Sequence, residues 1–209
     1  MGNDRLGHRG AKLLLLLIAA VSLAGCARTP QVSYYQLSTR HDVGEILAPF
    51  ASSKDFTIGL GPLQLPEYLE RIQIVSRTSA NQLEIMGYRR WAEPLSTGLP
   101  RVLGEDLAFL LGNIRVLRYP WARSQSVDRQ VIVEILQFEG GPEREVKLTA
   151  RWTVLDGAGN IMFVEQRSSF QIDAAPGTEG LVAALSDALW RLAREIAASL
   201  AGPSAAGHS

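Results

Sequence analysis

The 209-residue chain has a single cysteine, Cys26, at the end of the run Leu23-Ala24-Gly25-Cys26. A large apolar residue, two small ones and then a thiol read as a processing site. The small side chains let an extended backbone enter a peptidase cleft, and the thiol is the nucleophile that can accept a diacylglyceryl group as a thioether. Cleavage before Cys26 would free an amino group for a third acyl chain. With no second cysteine, Cys26 cannot form an internal disulfide. The rest of the chain is poor in reactive constellations. Of three histidines, His8 precedes Cys26, His41 stands in a loop-like stretch and His208 lies in a small, polar tail. One ordered histidine builds neither a His-based metal cluster nor a catalytic triad. Gly59-Leu60-Gly61 runs into Pro62 instead of a helix start, so it matches neither dinucleotide nor P-loop spacing. Glu67 with Glu70, and Glu143 with Glu145, read as solvated surface. No catalytic residue, metal ligand or cofactor is expected beyond the covalent lipid on Cys26.

A second kind of chemistry is recognition. Arg89-Arg90-Trp91-Ala92-Glu93-Pro94-Leu95 sets two cations, an aromatic and a carboxylate just ahead of a helix. Arg90, Trp91 and Glu93 form a possible partner interface, since Trp and Arg are the types enriched at binding hot spots. The alternative places Trp91 and Leu95 in the core and pairs Arg90 with Glu93 locally, a contact worth at most about 1 kcal/mol when exposed. Both readings stand. Tyr119-Pro120-Trp121 poses the same choice, with packing favoured.

The elements that must position these residues follow from charge and hydrophobic period. Arg5, Arg9 and Lys12 precede an apolar run from Leu13 to Val21, a positive region followed by a short hydrophobic one. That run is too short for a membrane span, which needs about 20 residues. With the run Leu23 to Cys26 behind it, the segment resembles a bacterial lipoprotein signal with its lipobox. Residues 1–25 read as signal peptide, 26–33 as lipidated terminus and tether, 34–201 as one domain and 202–209 as a disordered tail. Loss of residues 1–25 leaves 18 basic and 20 acidic side chains, a balance that disfavours nucleic acid as a partner.

Within the domain, Tyr34–Leu37, Thr57–Leu65, Ile72–Arg77, Leu83–Tyr88, Ile114–Tyr119, Gln130–Phe138, Val146–Val154 and Ile161–Ile172 read as strands. The seventh has the cleanest alternation, with Lys147, Thr149, Arg151 and Thr153 on its wet side. Leu95, Leu99, Val102, Leu103, Leu107 and Leu110 mark a helix over Pro94–Gly112. Pro100 would cost about 3 kcal/mol in its interior, which moves the expected start toward Leu99. A second helix spans about Thr178 to Leu200, with Thr178 as N-cap. This order predicts a single α/β domain: a mixed, largely antiparallel sheet with two long helices packed on it.

The stretch Ile58-Gly59-Leu60-Gly61-Pro62-Leu63-Gln64-Leu65-Pro66-Glu67-Tyr68-Leu69, then Gln73-Ile74-Val75-Ser76-Arg77, Arg90-Trp91-Ala92-Glu93-Pro94-Leu95, Tyr119-Pro120-Trp121 and Ala150-Arg151-Trp152, resembles the PqiC-type ABC transport auxiliary lipoproteins. The resemblance covers nearly all of the chain after Cys26. It implies a non-enzymatic, outer-membrane-anchored component of an MCE/ABC-type lipid transport system that spans the Gram-negative envelope. It also implies a PqiB-like MCE-domain tunnel protein as partner, a homo-oligomeric ring, and a role in membrane integrity. Ala27, directly after the lipidated cysteine, agrees with outer-membrane sorting. The competing reading is a periplasmic lipid-binding carrier or assembly chaperone; an envelope hydrolase fits less well, for want of histidines and nucleophile motifs.

Overall fold

The computed structural model describes residues 30–41, 46–47, 56–122 and 124–201. The expected signal peptide, Cys26 and the expected tail 202–209 lie outside these residues, as does most of the stretch between His41 and Asp55. In chain order the elements are β1 (Ser33–Tyr35), β2 (Thr57–Gln64), a 3₁₀ turn (Glu67–Leu69), β3 (Gln73–Ser79), β4 (Gln82–Trp91), α1 (Leu95–Leu110), β5 (Arg115–Arg118), β6 (Arg129–Gly140), β7 (Glu145–Asp156), β8 (Ile161–Asp173) and α2 (Gly177–Ala201).

The eight described strands form one mixed sheet. Its longest ladders are antiparallel, β6 with β7 and β7 with β8. β2 runs parallel to the first half of β6, from Ile58 opposite Arg129 to Gln64 opposite Glu134. The chain then detours through the 3₁₀ turn and rejoins β6 as β3, with Ser76 opposite Gly140. β2 and β3 thus cover successive halves of one β6 edge. β5 lies outside β2, while β4 and then β1 lie outside β3.

Both helices cover one face of the sheet: α2 packs on β6 to β8, α1 on β2 and β5, and the two touch each other. Val131, Val133 and Ile135 of β6, Val146, Leu148, Trp152 and Val154 of β7, and Ile58 and Leu60 of β2 point into that layer and are buried. Leu99, Val102, Leu103, Leu107 and Leu110 answer from α1, and Leu185, Leu189, Leu192, Ile196 and Leu200 from α2. Each such side chain contributes roughly 1.5–3 kcal/mol of transfer free energy. The two helical stripes legible in the sequence are what close the core.

Four expectations need correction. β4 continues past Tyr88 to Trp91, so Arg89, Arg90 and Trp91 are strand residues. β4 survives there because β1 pairs with its last three residues. α1 starts at Leu95 and keeps Pro100 inside it. The carbonyl that loses its donor belongs to Ser96, which is exposed and open to water, while Leu95 and Leu99 are buried only if the first turn forms. Thr178 is the second residue of α2 and not its cap. Thr149 is buried on the sheet's second face, where its hydroxyl meets Ser169 Oγ at 3.2 Å. The turn at Gly112 and Asn113, both with positive φ, ends α1 as read from the sequence.

Candidate functional site

The junction from β4 to α1 carries the recognition motif. Tyr35 and Trp91 are register partners, so both point into the core side of the sheet. Trp91 is only 4% exposed, and Leu95 is also buried. Glu93 follows on the turn. Its Oε1 accepts from Arg101 Nη2 at 2.5 Å, Arg101 Nε at 3.1 Å and Gln36 Nε2 at 3.0 Å. Arg101 Nη2 also reaches the Leu37 carbonyl at 3.3 Å. The cation paired with Glu93 is therefore Arg101, two turns into α1, and not Arg90. These bonds hold the Glu93 carboxyl below the usual range, the Arg101 hydrogen bond being the largest cause and burial opposing it. Arg90 lies on the opposite face from Trp91, partly buried, with Nε unpartnered. The junction staples β1 and the segment after it to the start of α1.

Beside β2, the loop Tyr119-Pro120-Trp121 folds onto the two glycines. A Cβ on Gly59 would meet Trp121 Cη2 at 2.6 Å, and one on Gly61, whose φ is +120°, would meet Tyr119 Cβ at 2.7 Å. Tyr119 and Trp121 stand edge to face, with centroids 5.6 Å apart. The Gly61 carbonyl accepts from Gln130 Nε2 at 2.8 Å. Gly59 thus leaves room for the Trp121 ring and Gly61 for the Tyr119 side chain, a packing role for Gly-Leu-Gly.

Two buried carboxyls complete the set. Glu139, near the end of β6, receives four donors: Arg77 Nε at 2.8 Å and Gln137 Nε2 at 2.9 Å on Oε1, Tyr68 Oη at 2.7 Å and the Phe138 N–H at 3.0 Å on Oε2. It ties the 3₁₀ turn and β3 to the β6 edge across their detour. Burial and the bond to Glu139 push the Tyr68 hydroxyl well above its ordinary range. Asp106 of α1 is fully buried; its Oδ1 accepts the Arg40 N–H at 3.2 Å and lies 3.7 Å from His41 Nε2, while Oδ2 has no partner. His41 stacks on Phe109 at 4.5 Å. Sequence reasoning passed over both: Asp106 falls on the apolar stripe of Leu99, Val102, Leu103 and Leu110, a signal that could have found it, whereas Glu139, between Gln137-Phe138 and Gly140-Gly141, carries no such signal.

Among the described residues, no group of three or more His, Cys, Asp or Glu could hold a metal ion. No described helix is long and apolar enough to cross a membrane. Open clefts of about 240 Å³ beside Met86, Arg89, Arg144 and Leu181, and of about 550 Å³ between α1 and β5, are shallow features of the surface. The hydrogen-bonded groups found here pin elements together. They hold together a two-layer α/β domain.

The chain matches the family described as the ABC-type transport auxiliary lipoprotein component over residues 35–197, and it belongs to that family. No curated protein sequence matches it. Its fold is that of a crystal structure of an uncharacterised protein, with TM-score 0.67 and 20% identity over 82% of this chain and 99% of the other. It is also that of protein XCC0632 from Xanthomonas campestris, of family DUF330, with TM-score 0.61 and 13% identity over 78% of this chain and 92% of the other. A PelC dodecamer from Paraburkholderia phytofirmans is more distant, at TM-score 0.43 and 13% identity over 75% and 94% of the two chains.

Proposed function

We propose that this protein is a non-enzymatic lipoprotein of an envelope-spanning MCE/ABC-type lipid transport system, acylated at Cys26 and holding the distal end of a periplasmic tunnel at the outer membrane. The observation that carries the reading is the family match, which begins at residue 35, only nine residues after Cys26. A lipid crossing the aqueous periplasm exposes apolar surface at about 0.8 kcal/mol per CH₂. Transport therefore needs a continuous apolar path that meets the membrane, and a short-tethered domain can keep that path in place. Two or more acyl chains make the anchor lasting, where one would hold only marginally.

In this reading the partner is a PqiB-like MCE-domain tunnel protein, and the domain acts as a homo-oligomeric ring. Within the Arg90, Trp91 and Glu93 group, Trp91 serves as the core anchor and Glu93 as the staple to Arg101, and Arg90 is the member offered to a partner. The packed core and open clefts weigh against a carrier that encloses an acyl chain in its own pocket. The test is an affinity pull-down of the lipidated protein from detergent-solubilised envelopes, with Cys26→Ala as control and mass spectrometry of proteins and lipids. Recovery of an MCE-domain protein supports tunnel docking. Stoichiometric lipid with no such partner would turn the assignment toward the carrier.

A further inference from the structure

Four of the exposed large apolar side chains collect where the chain enters the domain. Tyr34 is 60% exposed, Tyr88 52%, Ile85 48% and Ile72 47%. Tyr34 lies opposite Arg90, Arg90 opposite Gln73, and Val75, two residues on, opposite Ile85. Tyr34, Arg90 and Ile85 therefore share one face of the sheet, the face turned away from the helices. Tyr88 projects from a bulge: β3 moves from Gln73 to Ile74 while β4 moves from Arg90 to Met86, so Gly87, Tyr88 and Arg89 face no β3 residue. A Cβ on Gly87 would meet nothing within 4 Å. Nothing in the hydrogen bonding of the sheet requires apolar residues at these positions.

What covers this edge follows from the length of chain in front of it. Six residues, 27–32, separate Cys26 from the first residue of β1. Fully extended, that link reaches about 25 Å at most. Ser33, which pairs with Arg89, stays within that distance of the acylated sulfur. The opposite end of the sheet does not share the constraint. Tyr34 is level with Gln73, three residues before the Ser76 that lies opposite Gly140, whereas Ile161 reaches Gln130 through Leu155, about seven residues back along β6 and roughly 23 Å away along the strands. Tyrosine, with an apolar ring and a polar tip, suits the headgroup layer of a bilayer.

We propose that the β1–β4 edge, through Tyr34, Ile85 and Tyr88, rests in the headgroup layer of the membrane that holds Cys26, so that the domain is oriented as well as tethered. The inference rests on acylation of Cys26. It sets the β7–β8 turn and Ile161 on the side facing away from that membrane.

Acylation leaves the chain without a free thiol, so Tyr88→Cys supplies a unique site for an environment-sensitive fluorophore, and Ile161→Cys supplies the control. Each labelled lipidated protein is reconstituted into phosphatidylethanolamine/phosphatidylglycerol vesicles carrying a headgroup-region spin label. Quenching at position 88 is expected to exceed that at 161 at least threefold. Adding Tyr34→Ser and Ile85→Ser should bring it down to the level at 161 with vesicle flotation unchanged. Equal quenching at both positions would overturn the proposal while leaving the anchor intact. A change at 88 that follows protein density and ignores the spin label would overturn it too, because a second copy then covers the edge. Failure of the unlabelled chain to float removes the anchor itself, a distinct signature.

Discussion

Replacing Asp106 by asparagine should abolish most of the pH dependence of stability between about pH 5 and pH 8. The carboxyl is fully buried in α1 with one oxygen unpartnered. Burial pushes its pKa from 3.8 to about 7; the Glu105 charge adds to the rise, and the Arg40 N–H and charge oppose it. The folded protein therefore keeps a proton between 3.8 and about 7 that the unfolded chain has lost. Bound protons favour the folded state in that window, so stability falls as pH rises through it and levels off above pH 7. The slope is about 1.4 kcal/mol per pH unit, and the full difference is of order 4 kcal/mol. Asp106→Asn has no proton to lose, so the variant should match or slightly trail the parent at pH 5 and exceed it at pH 8. Urea unfolding followed by tryptophan fluorescence is the assay, with Trp190 packed 6.2 Å from Phe109 as a local reporter. Parallel pH curves for the two proteins would refute the assignment of the proton to Asp106.

Other substitutions probe the remaining joints. Arg77→Ala leaves the Glu139 carboxylate buried without its cation and should lower stability by about 3 kcal/mol, the low end for a broken buried pair because three donors remain; an unchanged urea midpoint would contradict this. Glu93→Gln should cost about 1 kcal/mol near neutral pH. Its pH dependence has the opposite sign to that of Asp106, since a depressed carboxyl pKa gives stability that is lost as pH falls through the folded value; the gap between parent and variant, read by thermal melts, should close in acid. Gly59→Ala drives a methyl into Trp121 and should cost about 1–3 kcal/mol. In the double variant with Trp121→Ala that cost should largely vanish, so additive effects in a double-mutant cycle would argue against direct contact.

Much of the site's architecture was legible residue by residue, and its gaps have physical causes. The β7 alternation and the α1 and α2 stripes identify core faces correctly because burial repeats with the period of each element. The strand end at Trp91 and the helix start at Leu95 were misplaced because distant partners stabilise them. Tyr35 holds the end of β4, and buried Leu99 outweighs the penalty at Pro100. The alternative that pairs Glu93 with Arg90 fails for a similar reason: strand alternation turns Arg90 to the far face, while Arg101 swings back two helical turns.

By itself the sequence determined what depends on local chain chemistry: the hydrophobic periods, the order of strands and helices, and a set of motifs specific enough to indicate a family. The tertiary structure alone decided which charges meet, because ion pairs such as Arg77–Glu139 join residues far apart in the chain. It also decided that Gly59 and Gly61 make room for the side chains of Trp121 and Tyr119, that Trp91 is core, and that the apolar residues of β1 and β4 gather where the chain enters the domain. Those outcomes depend on sheet register. Register is set by the summed packing of the whole domain, so no single stretch of sequence contains it.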